Sequence, residues 1–162
     1  MQPTLIGLAE QLGEHLKANR LIIATAESCT GGWIGETITA IPGSSAWFDR
    51  GFITYSNAAK IQMLGVNPET LRDYGAVSAQ VASEMAAGAL LHSDANLVVA
   101  VTGVAGPGGG TSATPVGTVF IAWQQREGEL SVEKNCFFGE RQQIRAQTVM
   151  TAIKGFFRFK SI

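Results

Sequence analysis

The chain is poor in the residues that build metal sites, disulfide scaffolds and nucleic-acid surfaces. Its 162 residues include two cysteines and two histidines. His, Cys, Asp and Glu nowhere cluster at ligand spacing, so neither a metal nor a cofactor is expected. Twelve Lys and Arg nearly balance thirteen Asp and Glu, a formal net charge of −1. Those charges are scattered, which argues against a nucleic-acid partner. No apolar run approaches the roughly 20 residues of a membrane helix, so no membrane partner is expected either. The start, MQPTLIGLAEQLGEHLKANR, lacks the basic opening and apolar block of a signal peptide. Two cysteines without an export signal predict reduced thiols in a cytoplasm. The expectation is a cytoplasmic domain acting on a small molecule.

What is present reads as a folded α/β protein. Hydrophobic residues make up 46% and charged residues 15% of the chain, a globular balance, and the length suits a single domain over residues 1–162. Leu5, Leu8, Leu12 and Leu16 fall on one face of a first helix. LIIATA (21–26) reads as a buried strand and TGGWIGETITAI as the helix after it. RGFITYS (50–56) alternates like a second strand. Ser56 or Asn57 can cap the next helix and Gly65 stop it; Asn67 with Pro68 repeats the device, and Ser78 can cap a longer helix. ANLVVAVTG is an uninterrupted apolar run, hence a central strand expected to be parallel. VGTVFIAWQQ and LSVEKNCFF flank an REGE turn as a hairpin, and ERQQIRAQTVMTAIKGFF closes the chain as a helix. This alternation predicts a single three-layer α/β/α domain with a mixed, largely parallel sheet. The aromatic tail GFFRFK is either core or a subunit contact, the latter making a homo-oligomer the favoured expectation.

Ligands of such sheets bind beyond strand ends, where four loops fall: AESCTGG, TYSNAAK, TGVAGPGGGTSATPVG and FFGERQQIR. The third packs six glycines and two prolines into 16 residues. It is neither a P-loop nor a dinucleotide fingerprint. Backbone N–H groups there, around Gly103 and Gly106, could approach an anion. In the first loop a helix start just after a strand supplies free N–H groups, so Ser28 could attack a carbonyl while those of Cys29, Thr30 and Gly31 hold the oxygen. Cys29 would need a histidine base, yet His15 and His92 both lie in predicted helices away from these loops. A serine with a lysine base remains. Lys60 is the only lysine in the four loops, and Tyr55 precedes its helix. Each residue also has an ordinary reading: Ser28 as a cap, Tyr55 as strand-end packing, Lys60 as a solvated charge.

The segments ATAESCTGGWIGETITAIPGSSAWFDRGFITYSNAAKIQMLGV, GAVS, VTGVAGPGGG with its later PVGTV, and FFGERQQIR occur in that order. Together they resemble the C-terminal domain family of CinA, the competence/damage-inducible proteins, and in particular its stand-alone nicotinamide-nucleotide amidases. The resemblance covers almost the whole chain. It implies hydrolysis of nicotinamide mononucleotide to nicotinate mononucleotide and ammonia, in NAD salvage. It also implies a serine nucleophile in ESCTGG, with tyrosine and lysine from TYSNxAK, which are Ser28, Tyr55 and Lys60 here. Thr102, Gly103 and the following glycines are then expected to receive ribose or phosphate. Arg141 and Arg145, four apart on one helical face, are candidate phosphate clamps; the other reading is a solvated basic face. One position departs from the family pattern: Thr114 stands where relatives often have a lysine before PVG. A silent nucleotide-binding paralogue and an amidase or esterase for another substrate are the alternatives.

Overall fold

Leucines at every third or fourth position set the first helix, α1 (Leu5–Asn19), against the sheet, with Leu8, Leu12 and Leu16 buried. The structure, a computed structural model, describes residues 4–161. After α1 come β1 (Ile23–Glu27), α2 (Trp33–Thr39), β2 (Phe48–Ile53), α3 (Asn57–Leu64), α4 (Pro68–Tyr74) and α5 (Ala79–Leu91). Then follow β3 (Leu97–Gly103), β4 (Thr118–Gln125), β5 (Leu130–Cys136) and α6 (Arg141–Gly155). The expected caps are in place. Ser56 accepts from the Ala59 N–H at 3.0 Å, Asn67 from Glu69 at 2.8 Å and Ser78 from Val81 at 3.2 Å. Gly65 ends α3 in the left-handed conformation, φ 68°, which a glycine adopts without cost.

The sheet order is β2-β1-β3-β4-β5. β1 pairs in parallel with both β2 and β3, while β3–β4 and β4–β5 are antiparallel. The sheet is therefore mixed, with its parallel part on one side of β3 and the hairpin on the other. Side chains alternate across it, as pleating requires. Ile23, Val99, Val101, Ile121 and Trp123 share one core with α1, α2 and α6. The smaller Ala24, Ala26, Val98, Ala100 and Ala122 share the opposite core with α3 and α5. On that thinner side α5 meets α3 backbone to backbone, because Gly88 lies against the Leu64 carbonyl where a Cβ has no room.

The aromatic tail packs into the core, one of its two expected readings. Phe156 and Phe159 are buried in the first core and Phe157 packs against it. His15 Nε2 donates to the Phe159 carbonyl of this tail at 2.7 Å. The rings of GFFRFK thus take the core reading, closing the gap between α1 and the sheet. Among the described residues no helix is long and apolar enough to cross a membrane.

Candidate active site

Strand register brings all four loops to one edge of the sheet. Glu27 pairs with Ile53 and Val101, Gly103 with Val119, and Thr118 with Cys136. The parallel strands end where β4 begins and β5 finishes. Ser28 continues the pairing by one residue, its N–H donating to the Val101 carbonyl at 3.1 Å. The Thr54 N–H donates to the Glu27 carbonyl at 2.8 Å, which fixes the entry to α3 beside the serine.

Lys60 lies in the first turns of α3, and the helix aims it inward. The side chain is 2% exposed and Ser28 is 9% exposed. Lys60 Nζ lies 2.9 Å from Ser28 Oγ and 3.1 Å from the Thr54 carbonyl oxygen. Among the described residues no carboxylate pairs with it. Burial lowers its pKa from the ordinary lysine value, and the neighbouring Cys29 acts in the opposite direction. A neutral amine is satisfied by these two neighbours: it donates to Thr54 and accepts from the serine hydroxyl. The Cys29 thiol is the reverse case. Its burial pushes the pKa up to about 11, so it stays protonated at neutral pH.

The turn after Ser28 differs from the expected helix start. α2 begins at Trp33 rather than Thr30, because Gly31 and Gly32 take positive φ of 61° and 103° and delay it. The first N–H groups of α2 are not free. The buried carboxylate of Glu27 accepts through Oε1 from Gly32 at 3.2 Å, Ile34 at 2.8 Å and the Thr30 hydroxyl at 2.6 Å, and through Oε2 from Gly35 at 3.0 Å. The end of α2 is thus neutralised by an acid from the strand before it. Gly31 N–H is also spent, on the Ser28 carbonyl at 3.0 Å. Among the described residues the N–H groups of Cys29 and Thr30 donate to no backbone carbonyl; both residues are buried, and the Cys29 N–H faces its own thiol. Sequence reasoning missed Glu27, although an acid six residues before the glycine-delayed helix start at Trp33 was a readable signal.

The two arginines part company. Arg141 Nη1 donates to the Gly106 carbonyl at 2.7 Å, and Nη2 to the Tyr55 phenol oxygen at 2.9 Å. Arg141 is exposed and borders a cleft of about 540 Å³ lined by Ala105, Pro107, Val116, Gly139 and Glu140. Tyr55 is 61% exposed and its phenol turns to Arg141, not to Ser28 or Lys60. Ser28 and Lys60 thus meet directly, without Tyr55 between them. Arg145 instead donates through Nε to the Cys29 carbonyl at 3.1 Å and through Nη2 to the Thr30 carbonyl at 3.0 Å, and stacks over Trp33. That differs from the expectation of a free phosphate clamp. Thr102 also differs: it is buried and its hydroxyl donates to the Ala76 carbonyl at 2.8 Å, tying GAVS to β3. Gly103 packs against β4, where a Cβ would meet Val119 and the Thr118 carbonyl. Thr114 pairs with Thr111, hydroxyl to hydroxyl at 3.0 Å, within the glycine loop. Among the described residues no group of three or more His, Cys, Asp or Glu side chains could hold a metal ion.

Known proteins share this fold and much of this sequence. The chain is 51% identical over 150 residues to nicotinamide-nucleotide amidohydrolase PncC of Escherichia coli K12, covering 93% of this chain and 91% of that one. It is 51% identical over 148 residues to the protein of the same name from Pseudomonas putida, covering 91% and 92%. The crystal structure of competence/damage inducible protein CihA from Agrobacterium tumefaciens superposes with a TM-score of 0.93 at 47% identity, over 98% of this chain and 97% of that one. The model of the CinA C-terminal domain matches residues 6–159, and the chain belongs to that family.

Proposed function

We propose that the protein is an amidohydrolase that converts nicotinamide mononucleotide to nicotinate mononucleotide and ammonia, in NAD salvage in the cytoplasm. The observation that carries this reading is the buried Lys60 Nζ, 2.9 Å from Ser28 Oγ and held by no carboxylate. The activity named for the amidohydrolases 51% identical to this chain supplies the substrate.

In the proposed reaction neutral Lys60 takes the Ser28 proton as Oγ attacks the carboxamide carbon. The carbonyl electrons move to oxygen, and the N–H groups of Cys29 and Thr30 receive that oxyanion. Collapse breaks the C–N bond, and the Lys60 ammonium returns its proton to the departing nitrogen, which leaves as ammonia. Water then attacks the acyl ester, giving its proton to Lys60. Oγ leaves and recovers that proton, freeing nicotinate mononucleotide. The pyridinium ring withdraws electrons and so activates the carbonyl beforehand. Tyr55 serves on the substrate side, fixing Arg141 through its phenol, and Arg141 with the Gly106 loop receives the phosphate. No step calls for a metal ion.

Purified protein incubated with nicotinamide mononucleotide should release ammonia and nicotinate mononucleotide in equal amounts. Ser28→Ala should release neither. An inactive wild type, or an active Ser28→Ala, would remove the proposal.

A further inference from the structure

We infer that Arg145 is a positioning residue that sets the oxyanion hole of the proposed amidohydrolase, not a substrate clamp. The inference rests on that reading of Ser28 as nucleophile. Three consecutive carbonyls in the turn are tied down. Ser28 O accepts from the Gly31 N–H at 3.0 Å. Cys29 O accepts from Arg145 Nε at 3.1 Å. Thr30 O accepts from Arg145 Nη2 at 3.0 Å and from the Trp33 N–H at 3.1 Å. In a planar trans peptide the carbonyl and the next residue's N–H point to opposite sides. Anchoring Ser28 O therefore aims the Cys29 N–H away from Gly31, and anchoring Cys29 O aims the Thr30 N–H away from Arg145. These are the two N–H groups of the turn that donate to no carbonyl or carboxylate.

The guanidinium suits this task because its planar fork spans adjacent carbonyls, whereas an ammonium can serve as a point donor only. Stacking over Trp33, at 5.4 Å from ring to Cζ, holds the fork in place. Glu27 fixes the other end of the same turn through the Thr30 hydroxyl and the start of α2. The guanidinium also keeps a positive charge behind the donors as negative charge develops in front of them.

A positioning role and a clamp role make opposite kinetic signatures. Arg145→Lys and Arg145→Ala should lower kcat for nicotinamide mononucleotide by about a hundredfold or more, the scale of losing an oxyanion donor, with KM within about threefold of wild type. Added guanidinium ion should restore part of the Arg145→Ala rate. Acetylation of Ser28 by p-nitrophenyl acetate, followed as the nitrophenolate burst and located by mass spectrometry, should slow by a similar factor. This ester lacks a phosphate, so it separates the two roles, and it reads the serine even if the mononucleotide is not the substrate. Circular dichroism should show both variants folded; if Arg145→Ala is not, Arg145→Lys carries the comparison. A raised KM with unchanged kcat, together with an undiminished acetylation burst, would overturn the inference in favour of a clamp.

Discussion

The turn of residues 28–32 and the glycine loop of residues 104–117 border the same edge of the sheet and are built in opposite ways. In the turn Ser28, Cys29 and Thr30 are buried, and a carboxylate and a guanidinium from other elements hold it from both sides. In the loop residues 107–113 are exposed, and the Thr111–Thr114 contacts join the loop only to itself. Its ties to the rest include Gly106 to Arg141, the Val104 N–H donating to the Thr118 carbonyl at 2.9 Å, and the Gly117 carbonyl accepting from the Phe137 N–H at 2.8 Å. In the proposed reaction this difference separates two demands. Bond making needs atoms held to within a fraction of an ångström, so the turn is over-determined. Recognition of a flexible ribose phosphate tolerates, and gains from, a backbone that can adjust.

The comparison breaks first at the nucleophile. Ser28→Ala should lower kcat by at least about a thousandfold, because no other group can form the acyl intermediate. Ammonia release under saturating substrate measures it. If the loop rather than the turn carried the chemistry, the loss would be far smaller.

Lys60 gives the next effect, and it couples activity to stability. Because burial lowers its folded pKa, the rate should rise with pH through a limb below 10.5, the ordinary lysine value. The sign for stability is the same. In the window between the lowered folded pKa and about 10.4, the unfolded chain binds a proton that the folded chain does not. Stability therefore rises with pH across that window. Lys60→Met should be inactive, should lose this slope, and should unfold at a higher temperature near neutrality, since a desolvated amine is replaced by a methionine of similar length. Thermal melts at several pH values check it; a slope unchanged in Lys60→Met would mean that the amine is not the titrating group.

Arg141 sharpens the other half. Arg141→Ala should raise KM for the mononucleotide by about ten- to a hundredfold, the worth of one charge-assisted hydrogen bond, and leave kcat nearly intact. Nicotinamide riboside, which lacks the phosphate, should be hydrolysed almost equally by both proteins. Equal loss on both substrates would move Arg141 from recognition to chemistry. The smallest effect belongs to Cys29→Ala, where activity should stay within about threefold because the thiol is protonated and only its backbone N–H serves. Insensitivity of the wild type to thiol-alkylating reagents is the companion measurement.

Local chemistry made much of this legible in advance. Ser56, Asn67 and Ser78 begin helices and Gly65 ends one because caps act within three residues of themselves. The Ser28–Lys60 pair could be named because few other bases exist near strand ends. What escaped depends on contacts between distant residues. Arg145 reaches the Ser28 turn across 115 residues of chain, so its helical spacing from Arg141 says nothing about its partners. The strand order rests on long-range register. The role of Glu27 depends on the glycine conformations at 31 and 32, which delay the helix start to Trp33.

Gly88, on the far side of α5, touches no reacting atom, yet it sets how closely α3 can sit. A side chain there would push on the Leu64 carbonyl, four residues along the same helix from Lys60. The helix would lift as a rigid lever and carry the amine away from the serine. Positions that look like inert packing at the back of the domain thus calibrate the distance between Lys60 and Ser28, the base and nucleophile of the proposed reaction, and sequence drift at them would silence it with every reacting side chain intact.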